Sequence, residues 1–148
     1  IGAKTKRALM LESQMRIVCD EIYITTNDGS YERRALASEF LRTFLEKQPV
    51  DCVYAAGSVD MMEASARMTK EKGIPVFVTL NPVMLDAIGL SGSCRVRVAG
   101  EMRLASIDGP HFDGHQVDFS YLSVRMDAFK AVPTGAQDEP RHFFLKWK

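Results

Sequence analysis

Between residues 21 and 80 the chain alternates short β-branched or aromatic runs with amphipathic helical stripes across loops of a few residues, and this order constrains the fold most. Strands that follow one another through helices pair in parallel, with the helices packed on the sheet. Ala8, Leu11 and Met15 stand at helical spacing and predict a short amphipathic helix over about 7–18. Glu21, Ile22, Tyr23, Ile24 and Thr25 predict a strand, closed by the turn residues Asn27, Asp28, Gly29 and Ser30. Leu36, Phe40, Leu41, Phe44 and Leu45 form the stripe of a helix over about 34–47, stopped at Gln48 and Pro49. A strand over 51–56, a turn at Gly57 and Ser58, a helix over 60–72 ending at Gly73, and a strand over 75–80 complete the alternation.

The pattern changes at Asn81 and Pro82. Residues 94–104 read as two short strands around Ala99 and Gly100, a hairpin. A turn-rich loop follows, with Asp108, Gly109 and Pro110, then Asp113, Gly114 and His115. Phe119, Leu122, Met126 and Phe129 recur every three or four residues and predict one closing helix. The division is therefore 1–80, 81–130 and a tail over 131–148, where Phe143, Phe144 and Trp147 are expected to dock on an apolar surface.

The 148 residues carry 19 basic and 19 acidic side chains, so nothing in the net charge draws the chain to nucleic acid or to an anionic membrane. Phosphate recognition must be local. Cys19, Cys52 and Cys94 are an odd number at unrelated spacings, which predicts reduced thiols and a cytoplasmic protein. No apolar run approaches a membrane span. The first residue is Ile1, and a fragment or processed chain is expected.

Residues 81–118, NPVMLDAIGLSGSCRVRVAGEMRLASIDGPHFDGHQVD, resemble the C-terminal segment of ferredoxin–NADP reductase-like electron-transfer subunits, including glutamate-synthase, sulfhydrogenase and dihydroorotate dehydrogenase types. The family pattern reads roughly N-P-I-M-V-D-G-T-G-M-C-G-x-C-R-V, then F-A-C-V-D-G-P-E-F-D-G-H. The resemblance covers about 1–126. It implies a Rossmann-like parallel α/β sheet with flanking helices, missing its first strand, plus a small β-hairpin appendage of the cluster type. It further implies an oxidoreductase domain that moves electrons between NAD(P)H, a flavin on another domain and an iron–sulfur centre. FAD is expected only with an upstream barrel. The expected partners are that flavin domain or a partner electron-transfer subunit, and a second copy of the chain. A cluster-less, non-catalytic module that docks on such a subunit is the alternative.

In the family an Asp and three Cys hold a 2Fe-2S cluster. Asp86 and Cys94 stand at their places, whereas Ser91 and Ser106 occupy the other two cysteine positions. A hydroxyl yields an anion far less readily than a thiol, so this is a degenerate ligand set. The resemblance also marks the dinucleotide site. Lys4, Thr5 and Lys6 match the stretch G-A-R-T-K and offer charge to phosphate; Asp28, Gly29 and Ser30 match D-G-S-Y, with Glu32 where a glycine usually follows. Gly57, Ser58 and Met61 belong to a C-G-P-x-x-M-M-like element in which Ala56 and Ser58 replace Cys and Pro. Met61 and Met62 equally suit core packing. His111, Asp113 and His115 form a weak metal pattern that doubles as a loop signature, and no nucleophile motif is present.

Overall fold

A computed structural model describes residues 1–130; Phe143, Phe144 and Trp147 of the tail lie outside the described residues. The first sheet holds β1 (Gly2–Ala3), β2 (Thr25–Thr26) and β3 (Arg33–Arg34), all parallel in the order β1-β2-β3. The helix α1 (Glu12–Val18) links β1 to β2, and α2 (Ala37–Lys47) leads from β3 to the second sheet. That sheet pairs β4 (Val53–Ala56) with β5 (Val76–Thr79) in parallel through the crossover helix α3 (Val59–Glu71).

The two expected strands and the helix between them form because their residues suit both period and boundary. In β4 and β5 the inward positions Val53, Ala55, Val76 and Val78 are buried, while Tyr54 and Phe77 on the other face stack with centroids 5.3 Å apart. The helix α3 buries Met62, Ser65, Ala66 and Thr69, at the spacing of one helical face. Its Ser58 cap accepts a hydrogen bond from the Met61 N–H at 3.3 Å, and Gly73 stops it with φ 66°.

Three elements differ from the sequence expectation. The helix over 7–18 is shorter: a 3₁₀ turn spans Lys6–Ala8, and Leu11 at φ 61° breaks the chain before α1 starts at Glu12. Ala8 and Leu11 are exposed, so the predicted stripe is not a buried one. The strand over 21–25 shifts to Thr25–Thr26, with Ile24 buried just before it. The loop after the hairpin is more ordered than expected. It contains α4 (Ala105–Asp108) and β8 (His111–Asp113), which pairs antiparallel with β5 through Phe77–Asp113, Val78–Phe112 and Thr79–His111.

The hairpin β6 (Arg95–Val98) and β7 (Glu101–Leu104) turns at Ala99 and Gly100, both with positive φ as a tight two-residue turn requires. The closing helix α5 (Phe119–Lys130) packs on α3 and β6 with Leu122 fully buried. One core joins these pieces: Leu45 of α2, Met62 and Ala66 of α3, Val76, Val78 and Leu80, Val96, Phe112 and Leu122. Segment 81–130 is thus built onto the second sheet, supplying its third strand and a covering helix.

Among the described residues, β1 and β4 each carry an unpaired side. A groove of about 390 Å³ lies between them, lined by Ile1 and Gly2, by Val53 through Ala56, and by Phe40 and Phe44 of α2.

Candidate functional site

A second cavity, about 440 Å³, opens where the carboxyl ends of β1 and β4 meet the first turns of α2 and α3. Lys4, Gly57, Ser58 and Met61 line it, four of the nine residues expected to bind a dinucleotide. The other five occupy loops laced to its rim. Asp28 N–H donates to the Lys4 carbonyl at 3.3 Å, and Lys6 N–H donates to Ser30 Oγ at 2.8 Å. Ser30 Oγ donates onward to Asp28 Oδ1 at 2.7 Å, and Ser30 N–H reaches the same oxygen at 3.0 Å. Those two bonds, the hydroxyl's first, hold the Asp28 carboxyl below its ordinary value. The Lys6 ammonium lies 4.5 Å from the centroid of the Tyr31 ring, and Lys6 does not line the cavity as Lys4 does. Thr5 caps the 3₁₀ turn with its backbone alone.

Sequence reasoning missed Gly2, Asn27, Ala37, Ser38 and Asp60, which also line this cavity. Gly2 is required by close approach: a Cβ there would stand 2.7 Å from Ala37 Cβ, so only glycine lets the start of α2 close over β1. The available signal was the start of that helix, expected near residue 34 and found at Ala37. Two helix N-terminal turns, whose first N–H groups have no intrahelical partner, consequently face one cavity at the carboxyl ends of parallel strands, the usual place for an anionic ligand in such sheets. Glu32 takes φ 51° where the family has glycine, and its carboxylate pairs with Arg16 at 3.1 Å, which partly neutralises it.

The second candidate site lies in 81–118. The structure brings its four positions together in two pairs. Cys94 Sγ and Ser106 Oγ are 3.0 Å apart, and Ser91 N–H donates to Asp86 Oδ2 at 2.6 Å. Cys94 is fully buried, Ser106 and Asp86 are half-buried and Ser91 is exposed. Burial pushes the Cys94 thiol up, while hydrogen bonds from the Ser106 hydroxyl and backbone outweigh this and leave it below the ordinary value. The Ser91 N–H likewise holds Asp86 low. Asp86 Oδ1 is buried without a hydrogen-bond partner. Cys19 and Cys52 lie at the end of α1 and just before β4, so Cys94 is the one thiol of this segment.

Fitted to a 2Fe-2S cluster, this set offers one thiol, one carboxylate and two alcohols. Clusters of that kind are held by thiolates, and an alcohol has no anion available near neutral pH. The donors do not fit the group. Among the described residues, no group of three or more His, Cys, Asp or Glu is arranged to hold a metal ion. His111 Nδ1 pairs with Thr79 Oγ1 at 2.9 Å and His115 Nε2 with Thr69 Oγ1 at 3.1 Å, each tying segment 81–130 to the second sheet and α3. Asp113 accepts from His115 N–H at 2.9 Å and from Gln116 Nε2 at 3.2 Å.

Residues 81–118 match the family model described as the iron-sulfur cluster binding domain of dihydroorotate dehydrogenase B. An uncharacterized protein in the adh 3′ region of Clostridium beijerinckii is 38% identical over 141 residues, covering 94% of this chain and 48% of that protein. A homologue of the dihydroorotate dehydrogenase B (NAD(+)) electron transfer subunit from Thermotoga maritima is 32% identical over 130 residues, 88% of this chain and 46% of its own length. Among solved structures, a chain of the NADH-dependent reduced ferredoxin-NADP oxidoreductase, described for flavin-based electron bifurcation, matches with TM-score 0.76 and 32% identity over 86% of this chain and 46% of that one. The chain spans about half the length of the relatives it matches. No helix among the described residues is long and apolar enough to cross a membrane. Fold, loop motifs and relatives agree: over most of its length the chain is similar to about half of proteins described as electron transfer subunits and of a ferredoxin-NADP oxidoreductase chain.

Proposed function

We propose that this chain is the dinucleotide-binding part of an electron-transfer subunit, exchanging electrons between NAD(P)H and a flavin held on another domain, on behalf of a partner subunit in the cytoplasm. One observation carries the reading: the cavity where the first turns of α2 and α3 and the carboxyl ends of β1 and β4 converge, with Lys4 on its rim. In this reading 1–80 binds the cofactor and 81–130 caps it. The N–H groups of the two helix starts and the Lys4 ammonium hold the pyrophosphate, the 28–30 loop positions Lys4 through its backbone, and Ser58 secures the start of α3 by accepting from the Met61 N–H, leaving the N–H groups ahead of it for the ligand. Met61 and Ala56 give the ring end of the cofactor an apolar wall. The cofactor supplies the hydride chemistry. Relatives described as dihydroorotate dehydrogenase electron transfer subunits support a partner subunit for this chain too.

The rival reading, a docking module without catalysis, draws on the alcohol-rich donor set of 81–118. Titration of the full chain with NADH and NADPH, followed by nicotinamide fluorescence, separates the two. Saturable binding that Lys4→Ala weakens about tenfold, the loss of one charge-assisted contact, is the expected outcome. Absence of saturable binding to either nucleotide removes the dinucleotide reading.

A further inference from the structure

We infer that residues 81–118 fold as a metal-independent cap, in which a hydrogen-bond network of alcohols stands where relatives of this family hold a cluster, and that Ser91 and Ser106 are what bars the cluster. Its consequence, that electrons pass through the chain with no one-electron centre in this segment, rests on the dinucleotide reading above.

The network is made by residues that a cluster site would not need. Ser93 occupies no ligand position, yet its hydroxyl accepts from Leu85 N–H at 3.1 Å and lies 3.0 Å from Ser91 Oγ. Ser91 Oγ in turn accepts from Ser93 N–H at 3.3 Å. The Ser93 carbonyl accepts from Arg125 Nη2 of α5 at 2.9 Å, and the Cys94 carbonyl accepts from Ala105 N–H at 3.0 Å. The two halves of the degenerate set are thereby stitched to the loop, to α4 and to α5 by ordinary hydrogen bonds. Both alcohols at ligand positions are engaged, Ser91 with Ser93 and Ser106 with Cys94. Taking either one as a ligand would break an existing bond and require an alkoxide.

The packing beneath is continuous with the rest of the molecule. Cys94, Val96, Ala105 and Leu122 are each fully buried, and they belong to the same core as Val76 and Val78. Where a metal organises a small segment, its binding energy is folding energy and the apo segment lacks a core of its own. Here the loop that carries Ser91 and Cys94 is fastened to a hydrophobic core shared with the second sheet. Segment 81–118 therefore has the means to fold from side-chain packing and alcohol hydrogen bonds.

The test uses the purified full chain, incubated anaerobically with ferrous iron and sulfide, desalted, and assayed for iron, acid-labile sulfide and the electron paramagnetic resonance signal after dithionite reduction. No stoichiometric iron or sulfide, no cluster signal, and a Tm unchanged by a strong chelator are expected. Stoichiometric iron and sulfide with a cluster signal, or a Tm that falls on chelation, would overturn the inference. The double variant S91C/S106C is expected to take up iron and sulfide under the same treatment. If it keeps the wild-type circular dichroism and still remains iron-free, the two alcohols are not the barrier and the inference fails. Ser93→Ala keeps the question open to disproof should the double variant not fold: it is expected to lower Tm by a few degrees in iron-free buffer, and an unchanged Tm would refute the network. Dinucleotide titration of the same preparations reads the other proposal separately, since loss of nucleotide binding leaves the iron assay untouched.

Discussion

At Glu32 a side chain occupies a backbone shape, φ 51°, that glycine adopts freely. The residues around it, Asp28, Gly29 and Ser30, were legible as a turn from sequence, but the ion pair from Arg16 to Glu32 was not, because it spans sixteen positions and two elements. The same loop sets a pH dependence. Asp28 is held below its ordinary value by Ser30, so its contribution to stability is complete above the unfolded carboxyl value, about 3.9, and is lost as pH falls through the lower folded value. Ser30→Ala removes the hydroxyl donor and should flatten the stability profile below about pH 4; thermal melts of both proteins between acid and neutral pH check it. Ser58→Ala should cost about 1 kcal/mol, the usual worth of a helix cap, in urea titrations. A nil effect would show that the α3 start is held by packing alone.

Among the elements, α3 and the hairpin were the most readable. Both combine an apolar pattern with a specific stop or turn residue, Gly73 in one and Gly100 in the other. Met62, fully buried in the first turn of α3, should cost about 2–5 kcal/mol when cut to alanine, because the methionine leaves a cavity between helix and sheet. Ala99 is exposed at φ 53°, the first position of a turn that favours Asn-Gly. Ala99→Asn should therefore stabilise the fold, by up to about 1 kcal/mol in the same urea titrations. The strand β8 was not readable. Three residues between two turns carry no period of their own, and His111–Asp113 becomes a strand only because the edge of β5 offers partners. For α1 the opposite holds: a helical stripe was legible, but Leu11 at positive φ and the exposure of Ala8 and Leu11 show that no neighbour buries it.

Across the molecule, two three-stranded sheets share the helix α2, which contacts β2 and α3 and places Phe40 and Phe44 against Tyr23. The second sheet is the better supported, since its central strand β5 has four residues against two in β2 and is covered by the main core. Hydrogen exchange should accordingly protect Val76–Thr79 well beyond Gly2–Ala3 and Thr25–Thr26, where each strand has two residues. Mass spectrometry on peptic fragments reads this directly, and equal protection of both sheets would count against separate stabilities. The alternation of short strands and helical stripes determined by itself that the chain forms a parallel α/β sheet, since strands linked through helices have few other ways to pair. Local motifs likewise marked Lys4, the 28–30 turn and the start of α3. Only the tertiary structure decided that these loops meet at one cavity with Gly2 and Ala37, that β8 closes the second sheet, and that Ser91 pairs with Ser93 and Ser106 with Cys94. The physical reason is the same in each case: periodicity and turn chemistry act over a few residues, whereas a cavity, an edge pairing or a polar network depends on which distant surfaces the core draws together.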